Sequence, residues 1–181
     1  DVAIWGALSV LTITMSKEIF NKGSWGYGLM DGMYGFGALI SAIVVAIITK
    51  KFGRRKSLIW CYSIAGLCCF ISPFSPTIYI AGIAYLLMGL HNNSARIIVR
   101  TLFMEIIPNN IMGRVQTIFG VYTRVMMLTS VLIAGWVTEN LNPHIGMNFA
   151  SAHYLIALIG IIVISKFSNF RKEIFKVKNH A

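Results

Sequence analysis

An arginine inside a long apolar stretch is the clearest candidate for chemistry in this sequence. Arg124 lies roughly 18 Å from the start of the apolar stretch 111–138 if that stretch is helical. This depth is near the middle of a ~30 Å hydrocarbon core, where an arginine facing lipid costs at least a few kcal/mol. Thr117 and Gly120 would share its helical face. We therefore expect Arg124 and Thr117 to line a polar cavity. The alternative is a helix that begins later and lets Arg124 reach the aqueous interface.

Three adjacent polar residues, His91, Asn92 and Asn93, interrupt the fourth apolar stretch. Asn92 also begins a polar stripe with a member at every fourth position, continued by Arg96 and Arg100. Buried amides need hydrogen-bond partners. Two interpretations stay open: these residues line a pore or substrate site, or they form hydrogen bonds between helices. His91 is also a candidate proton relay because histidine titrates near neutral pH.

The second apolar stretch carries an acid and a cluster of glycines. Asp31 is the one acidic residue that we place within a span, which makes it a candidate for proton coupling. The alternative is a carboxylate in water near the outer interface. The glycines Gly28, Gly32, Gly35 and Gly37 predict close packing of helices, because small residues let two backbones approach each other in a membrane.

The composition explains why these polar residues matter. The 181 residues are 56% hydrophobic and 12% charged, whereas soluble domains carry about 25% charged residues. The mean hydropathy is +0.71, so lipid is the natural solvent and the predicted fold class is all-α integral membrane. The net charge of +10 does not indicate nucleic-acid binding, since the basic residues form clusters between apolar stretches. The three cysteines have no metal-ligand spacing, and no cofactor is expected.

Six apolar stretches predict six transmembrane helices in one bundle over residues 1–181. They cover residues 2–19, 25–49, 57–72, 77–103, 111–138 and 148–166. All four prolines fall between them, as expected for residues that end helices. The first stretch is short for a span of about 20 residues, so we expect its helix to be cut and an N-terminal portion to be missing.

The basic residues predict the orientation of the bundle. In a six-span arrangement, thirteen of the sixteen fall on the same side of the membrane: Lys50, Lys51, Arg54, Arg55, Lys56, Arg96, Arg100, Arg114, Lys166, Arg171, Lys172, Lys176 and Lys178. The opposite side carries only Lys17 and Lys22. Basic loops are retained in the cytoplasm. The sequence therefore predicts a protein of the cytoplasmic membrane with both ends of this chain inside.

A known signature appears between the second and third stretches. Lys51-Phe52-Gly53-Arg54-Arg55 resembles the cytoplasmic loop of the major facilitator superfamily, whose pattern is G-x-x-x-D-R/K-x-G-R-R/K. Lys50 stands where the family has Asp, and Ala46 stands where it has the first Gly, as in the decayed copy of the C-terminal half. The resemblance implies half of a twelve-helix fold with three-plus-three inverted repeats, partnered by an N-terminal six-helix half of the same protein.

Two further stretches resemble one branch of that superfamily, the drug and siderophore exporters of the macrolide-efflux and enterobactin-exporter type. They are the glycine-rich run 23–28 with its continuation 35–39, and Ile107-Pro108 followed by Gly113-Arg114-Val115. The resemblance implies proton-coupled export of a small amphipathic molecule by alternating access. The rival interpretations are a non-transporting scaffold or pseudo-transporter and an intramembrane enzyme. No enzyme motif supports the last of these, and an enzyme is not expected.

Overall fold

The computed structural model describes the backbone of residues 2–166 and the side chains of residues 4–164. Six α-helices follow one another: α1 Val2–Thr14, α2 Gly23–Phe52, α3 Arg54–Ile71, α4 Ile78–Ile106, α5 Met112–Asn140 and α6 Pro143–Lys166. A π-helical turn, Met15–Ile19, extends α1, and a 3₁₀ turn, Ser72–Phe74, extends α3. Each helix overlaps one of the six apolar stretches, and the ends differ by a few residues.

The start of α6 corrects one expectation about the prolines. Pro143 was expected to lie between helices, but it is the first residue of α6. Proline fits the first helical turn because its missing N–H would have no partner there. The Asn142 side-chain oxygen accepts a hydrogen bond from the His144 backbone N–H at 2.9 Å, which caps the same turn. The helix therefore begins five residues earlier than the apolar pattern indicates.

Within the part of the chain that the structure describes, four segments are long and apolar enough to cross a membrane: Gly23–Phe52, Arg54–Phe74, Met112–Asn140 and Pro143–Ile164. The first helix, α1, has only 13 residues before its π-helical turn. The 29 residues of α4 include the polar cluster at His91–Asn93 and two arginines, which lower its mean hydropathy. Length and composition thus identify α2, α3, α5 and α6 as candidate spans.

The helices pack in a definite set of pairs. The most extensive contacts are those of α2 with α4 and of α1 with α5. A second layer is formed by α3, which packs against both α4 and α6. The buried core lies where these pairs meet, with Met30, Tyr85 and Met88 among its least exposed side chains.

Two glycines allow the backbones of α2 and α4 to touch. A Cβ atom on Gly37 would lie 2.0 Å from the Leu86 carbonyl oxygen, and one on Gly89 would lie 2.1 Å from the Tyr34 carbonyl oxygen. No larger residue fits either position without separating the helices. An added Cβ on Gly28, Gly32 or Gly35 would meet nothing within 4 Å among the described residues, so a packing role for these three glycines stays a prediction.

The cation-rich ends of the helices lie together. Only Gly53 separates α2 from α3, and its φ of +77° is a conformation that side-chain-bearing residues rarely adopt. Arg54 pairs with Glu105 at the end of α4, and Phe103 packs on Phe119 of α5 at a ring distance of 5.1 Å. Four tail cations, Arg171, Lys172, Lys176 and Lys178, lie outside the described residues.

Replacing Gly37 with alanine should destabilise the bundle, since the new methyl group would overlap a backbone carbonyl that cannot rotate away. We expect a loss of about 1–3 kcal/mol, typical of overpacking, measured as a lower melting temperature of the purified protein in detergent. Gly160→Ala is the control, because its Cβ would meet nothing within 4 Å. Equal melting temperatures for the Gly37 variant and the unsubstituted protein would contradict the close approach.

Candidate functional site

A cavity of about 120 Å³ lies between α1, α2 and α4. Its lining comes from one face of each helix: Trp5, Leu8, Ser9 and Thr12 of α1, Tyr27, Asp31 and Tyr34 of α2, and Tyr85 and Met88 of α4. The spacing of three and four residues within each set explains why the side chains converge. The cavity combines aromatic rings with hydroxyl groups and one carboxylate.

Tyr34 is the centre of the polar network at this cavity. Its hydroxyl oxygen accepts a hydrogen bond from Asn92 Nδ2 at 2.7 Å. Trp5 lines the same cavity beside Tyr34. Because an amide N–H can only donate, the Tyr34 oxygen is the acceptor in the bond with Asn92. Its own O–H proton is left to donate to a group in the cavity.

A second hydrogen bond fixes the α1 side of the cavity. The buried Thr12 hydroxyl donates to the Leu8 carbonyl at 2.7 Å, so its single proton is in use. Tyr85 must then donate to Thr12 Oγ1, across 2.9 Å between α4 and α1. This bond orients the Tyr85 ring, which is 2% exposed, along the cavity wall. The wall is thus held by contacts between helices and does not depend on a ligand.

Asp31 supplies the negative charge of the cavity. Among the side chains described, it is the one carboxylate in the lining, and it is exposed to the cavity mouth. It lies one helical turn from Tyr34 and interacts with it electrostatically, as does Arg96 of α4. The Tyr34 hydroxyl therefore lies in the electrostatic field of one acidic and one basic side chain. This arrangement can bind a polar solute and can also respond to protonation.

The predicted polar residues of α4 divide into different roles. Asn92 is 2% exposed and holds Tyr34 in place. Asn93 donates to Ser41 Oγ at 2.6 Å and to the Ala38 carbonyl at 3.1 Å, so it joins α4 to α2 rather than lining the cavity. His91 Nδ1 donates to the Leu87 carbonyl of its own helix at 2.8 Å. Of the two interpretations, hydrogen bonding between helices describes Asn92 and Asn93 in this structure.

Arg124 and Thr117 lie apart from this cavity. Both are exposed on α5, and neither is among the lining residues. The Thr117 hydroxyl donates to the Gly113 carbonyl of its own helix at 2.9 Å. The exposed surface beside Arg124 is apolar and includes Val121, Val125 and Leu128. The cavity role predicted for Arg124 therefore stays a prediction that needs a further surface facing α5.

The signature loop forms an ion pair that sequence reasoning did not predict. Arg54 Nη2 donates to Glu105 Oε1 at 2.8 Å, and Nη1 binds the other carboxylate oxygen, so the contact is bidentate. It ties the start of α3 to the end of α4. Lys51 lies over the Phe52 ring at 5.4 Å from its centroid. Gly53 provides the turn between α2 and α3.

Residues 2–173 match the family model of the Major Facilitator Superfamily. The chain belongs to this superfamily. It is accordingly a multi-pass membrane protein of a transporter family, which agrees with the expectation that it is not an enzyme.

Two relatives give the major facilitator match a context. The chain is 27% identical over 129 residues to a D-xylose transporter of Levilactobacillus brevis, a match that covers 71% of this chain and 27% of the relative. It is 33% identical over 95 residues to a solute carrier family 22 member 6-A of Xenopus laevis, which covers 51% of this chain and 16% of the relative. Each match thus spans well under two thirds of the relative's length.

The aromatic residues of the site were not predicted from the sequence. Trp5, Tyr27, Tyr34 and Tyr85 were not singled out, because aromatic residues in membrane helices usually form interfacial belts or pack between helices. The available signal was spacing: Tyr27 and Tyr34 lie on the same helical face as Asp31.

Tyr34 and Asn92 should be coupled energetically. Tyr34→Phe leaves the buried Asn92 amide without its partner, which costs about 1–3 kcal/mol. Asn92→Leu removes the amide as well, so adding it to Tyr34→Phe should cost less than the sum of the single changes. Melting temperatures of the four proteins in one detergent measure this coupling. Strictly additive losses would show that the two side chains do not interact.

Proposed function

We propose that this protein is a secondary active transporter that moves a small polyhydroxylated solute of the sugar class by alternating access. The observation that carries the proposal is the cavity between α1, α2 and α4, in which Trp5, three tyrosines and Asp31 face one space. Sugars present hydroxyl groups at their edges and C–H groups on their faces. The cavity offers groups for both, and a relative of this chain is described as a D-xylose transporter.

Each lining group has a chemical role in this proposal. Asp31 accepts hydrogen bonds from sugar hydroxyls, and Tyr34 donates its remaining proton to a sugar oxygen. Trp5 is 48% exposed and offers its ring to a C–H face. A carboxylate beside neutral hydroxyls favours a neutral polar solute over an anion, because a second negative charge beside Asp31 would be repelled.

The working transporter needs more than these six helices. α2 and α5 are long and apolar, and they are the least buried of the candidate spans. Their outer surfaces include Phe36, Leu39 and Ile43 on α2 and Leu128 and Leu132 on α5. We propose that a second six-helix half covers part of these surfaces and closes the cavity, while lipid covers the rest. Gly28, Gly32 and Gly35 would then face that half.

The helix contacts support a three-plus-three repeat. Exchanging α1 with α4, α2 with α5 and α3 with α6 converts the α2–α4 pair into α5–α1, the two most extensive pairs in the bundle. The close backbone contacts exchange too. Gly89 of α4 meets the Tyr34 carbonyl, and Gly6 of α1 meets the Met127 carbonyl with its Cβ position 2.8 Å away.

This repeat gives Arg124 a counterpart. Asp31 lies three residues before Tyr34, and Arg124 lies three residues before Met127. The two charged residues thus occupy corresponding positions in the two repeats. If Asp31 lies at the cavity, the same symmetry favours a position for Arg124 at the interface with the second half. This supports the proposal that Arg124 and Thr117 line the completed cavity.

Drug or siderophore export is the second candidate function. Its support is the mixture of aromatic and polar groups in the lining, which also suits an amphipathic molecule. Proton coupling through Asp31 belongs to both candidates, and a location in the cytoplasmic membrane with the basic loops inside is part of the same proposal. His91 could take part in the proton path only if its Nε2 faces the completed cavity.

Neutralising Asp31 tests the coupling. In proteoliposomes of the full-length protein, with labelled D-xylose as the probe, Asp31→Asn should abolish accumulation driven by an imposed pH gradient. Exchange of D-xylose at equal pH should fall about tenfold or less, because an amide can still form one neutral hydrogen bond, worth ~1 kcal/mol less than a charged one. Glu139→Gln is the control, since Glu139 lies outside the cavity lining.

The outcomes separate the candidates. Failure of the unsubstituted protein to exchange D-xylose or other pentoses and hexoses would exclude the sugar proposal. Expulsion of amphipathic drugs from the same vesicles would then favour export. Unchanged pH-driven accumulation by Asp31→Asn would exclude Asp31 as the coupling group.

Substitution of Arg124 tests its place at the completed cavity. Arg124→Leu should lower transport at least tenfold while leaving the protein folded, because leucine is favourable in lipid and arginine is not. Arg124→Lys keeps the charge but loses the planar fork, so retained activity would mean that charge alone is needed. Normal transport by Arg124→Leu would identify Arg124 as a residue that only reaches the aqueous interface.

A further inference from the structure

The junction of α2 and α3 concentrates positive charge at one end of the bundle. Lys50 and Lys51 lie in the last turn of α2, Gly53 alone connects the helices, and Arg54, Arg55 and Lys56 form the first turn of α3. Five cations thus lie within seven residues of chain. Arg54 is bound to Glu105. We refer to the other four, Lys50, Lys51, Arg55 and Lys56, as the basic corner.

No carboxylate among residues 4–164 neutralises the basic corner. Within residues 4–164, Arg54–Glu105 is the only ion pair, so none of the four has a carboxylate within 4.0 Å in that range. Lys50, Lys51 and Lys56 are exposed. Arg55 differs, because its Nε atom is buried and has no hydrogen-bond acceptor among the described residues. A buried guanidinium N–H without an acceptor is costly, and an anionic oxygen would remove that cost.

The helix dipole at the start of α3 also favours a bound anion. α3 has no side-chain cap and no acidic residue in its first turn. Its cations Arg55 and Lys56 therefore lie at the positive end of the helix dipole, where anions are favoured and cations are not. Lys50 and Lys51, in contrast, lie at the negative end of α2, where cations are favoured. The missing negative charge belongs at the start of α3.

Apolar surface continues directly from the basic corner along α3. Lys56, Trp60 and Leu67 share one helical face, and Trp60 and Leu67 are 62% and 58% exposed. Phe52, at the end of α2, is 49% exposed. A small soluble anion would make no contact with this apolar surface. A phospholipid has both a phosphate and acyl chains, and basic clusters next to membrane helices attract anionic lipids.

We propose that the basic corner binds the phosphodiester headgroup of an anionic phospholipid, whose acyl chains lie against Trp60 and Leu67. Arg55 and Lys56 hold the phosphate, with Arg55 Nε as one donor, and Lys50 and Lys51 add attraction from α2. The site is independent of the proposed transport cavity. Lys50 is 16 residues beyond Tyr34 on α2, which is roughly 24 Å along the helix.

Native mass spectrometry of the full-length protein in detergent tests this site, with dioleoylphosphatidylglycerol and dioleoylphosphatidylcholine as probes. The unsubstituted protein should retain at least one phosphatidylglycerol more tightly than phosphatidylcholine. Arg55→Gln/Lys56→Gln should weaken phosphatidylglycerol binding about fivefold or more, with no change for phosphatidylcholine. Lys17→Gln/Lys22→Gln is the matched control, because both lysines are exposed at the other end of α2. It should bind phosphatidylglycerol normally.

Two further measurements keep the test decisive. Arg55→Lys keeps the charge. Its melting temperature and its affinity for phosphatidylglycerol should therefore be closer to those of the unsubstituted protein than the values for Arg55→Gln/Lys56→Gln are. Inorganic phosphate at 10 mM should not displace the lipid. Undiminished binding by Arg55→Gln/Lys56→Gln, or an equal loss in the Lys17/Lys22 control, would overturn the proposal. Displacement by inorganic phosphate would assign the corner to a small anion instead.

Discussion

The contact between the backbones of α2 and α4 is the constraint on which the rest of the structure depends. In a membrane, apolar surface gives little drive for helices to associate, so close packing and hydrogen bonds must hold them together. Gly37 and Gly89 provide the packing, each against a carbonyl of the other helix. Asn93 then reaches Ser41 and the Ala38 carbonyl across the interface. Neither bond could form if a larger residue separated the helices.

That contact also sets the register of the cavity. Gly89 touches the Tyr34 backbone, and Asn92, one turn further along α4, therefore lies beside the Tyr34 hydroxyl. With Tyr34 fixed, Asp31 is placed one turn away on the same face of α2. The chemistry of the site thus follows from the packing of two glycines that contact no solute. A polar residue in a membrane helix is costly. Here the polar residue is Asn92, and it holds the Tyr34 hydroxyl in position.

The helices could be predicted from the sequence because their signal is local: long apolar stretches, prolines near their ends and cations between them. The acid of the site could be found for the same reason, since Asp31 is conspicuous in an apolar stretch. The tyrosines could not be found, because their role depends on which faces meet. The glycines show the limit most clearly. Gly28 and Gly32 have the spacing of a packing motif but face open space, whereas Gly89, with no such spacing, makes the contact.

The proposed three-plus-three repeat relates two helix pairs that differ in their polar contacts. The pairs α2–α4 and α5–α1 both place a glycine against a carbonyl, but only the first adds amide hydrogen bonds. Under the proposed repeat, the positions three residues earlier hold Asp31 in one half and Arg124 in the other. Opposite charges at related sites would give a solute with hydroxyl groups an acceptor on one side and a donor on the other. In the proposed transporter, a proton gained by Asp31 would weaken its Coulomb attraction to Arg124 in a medium of low dielectric constant, and this would link protonation to helix movement.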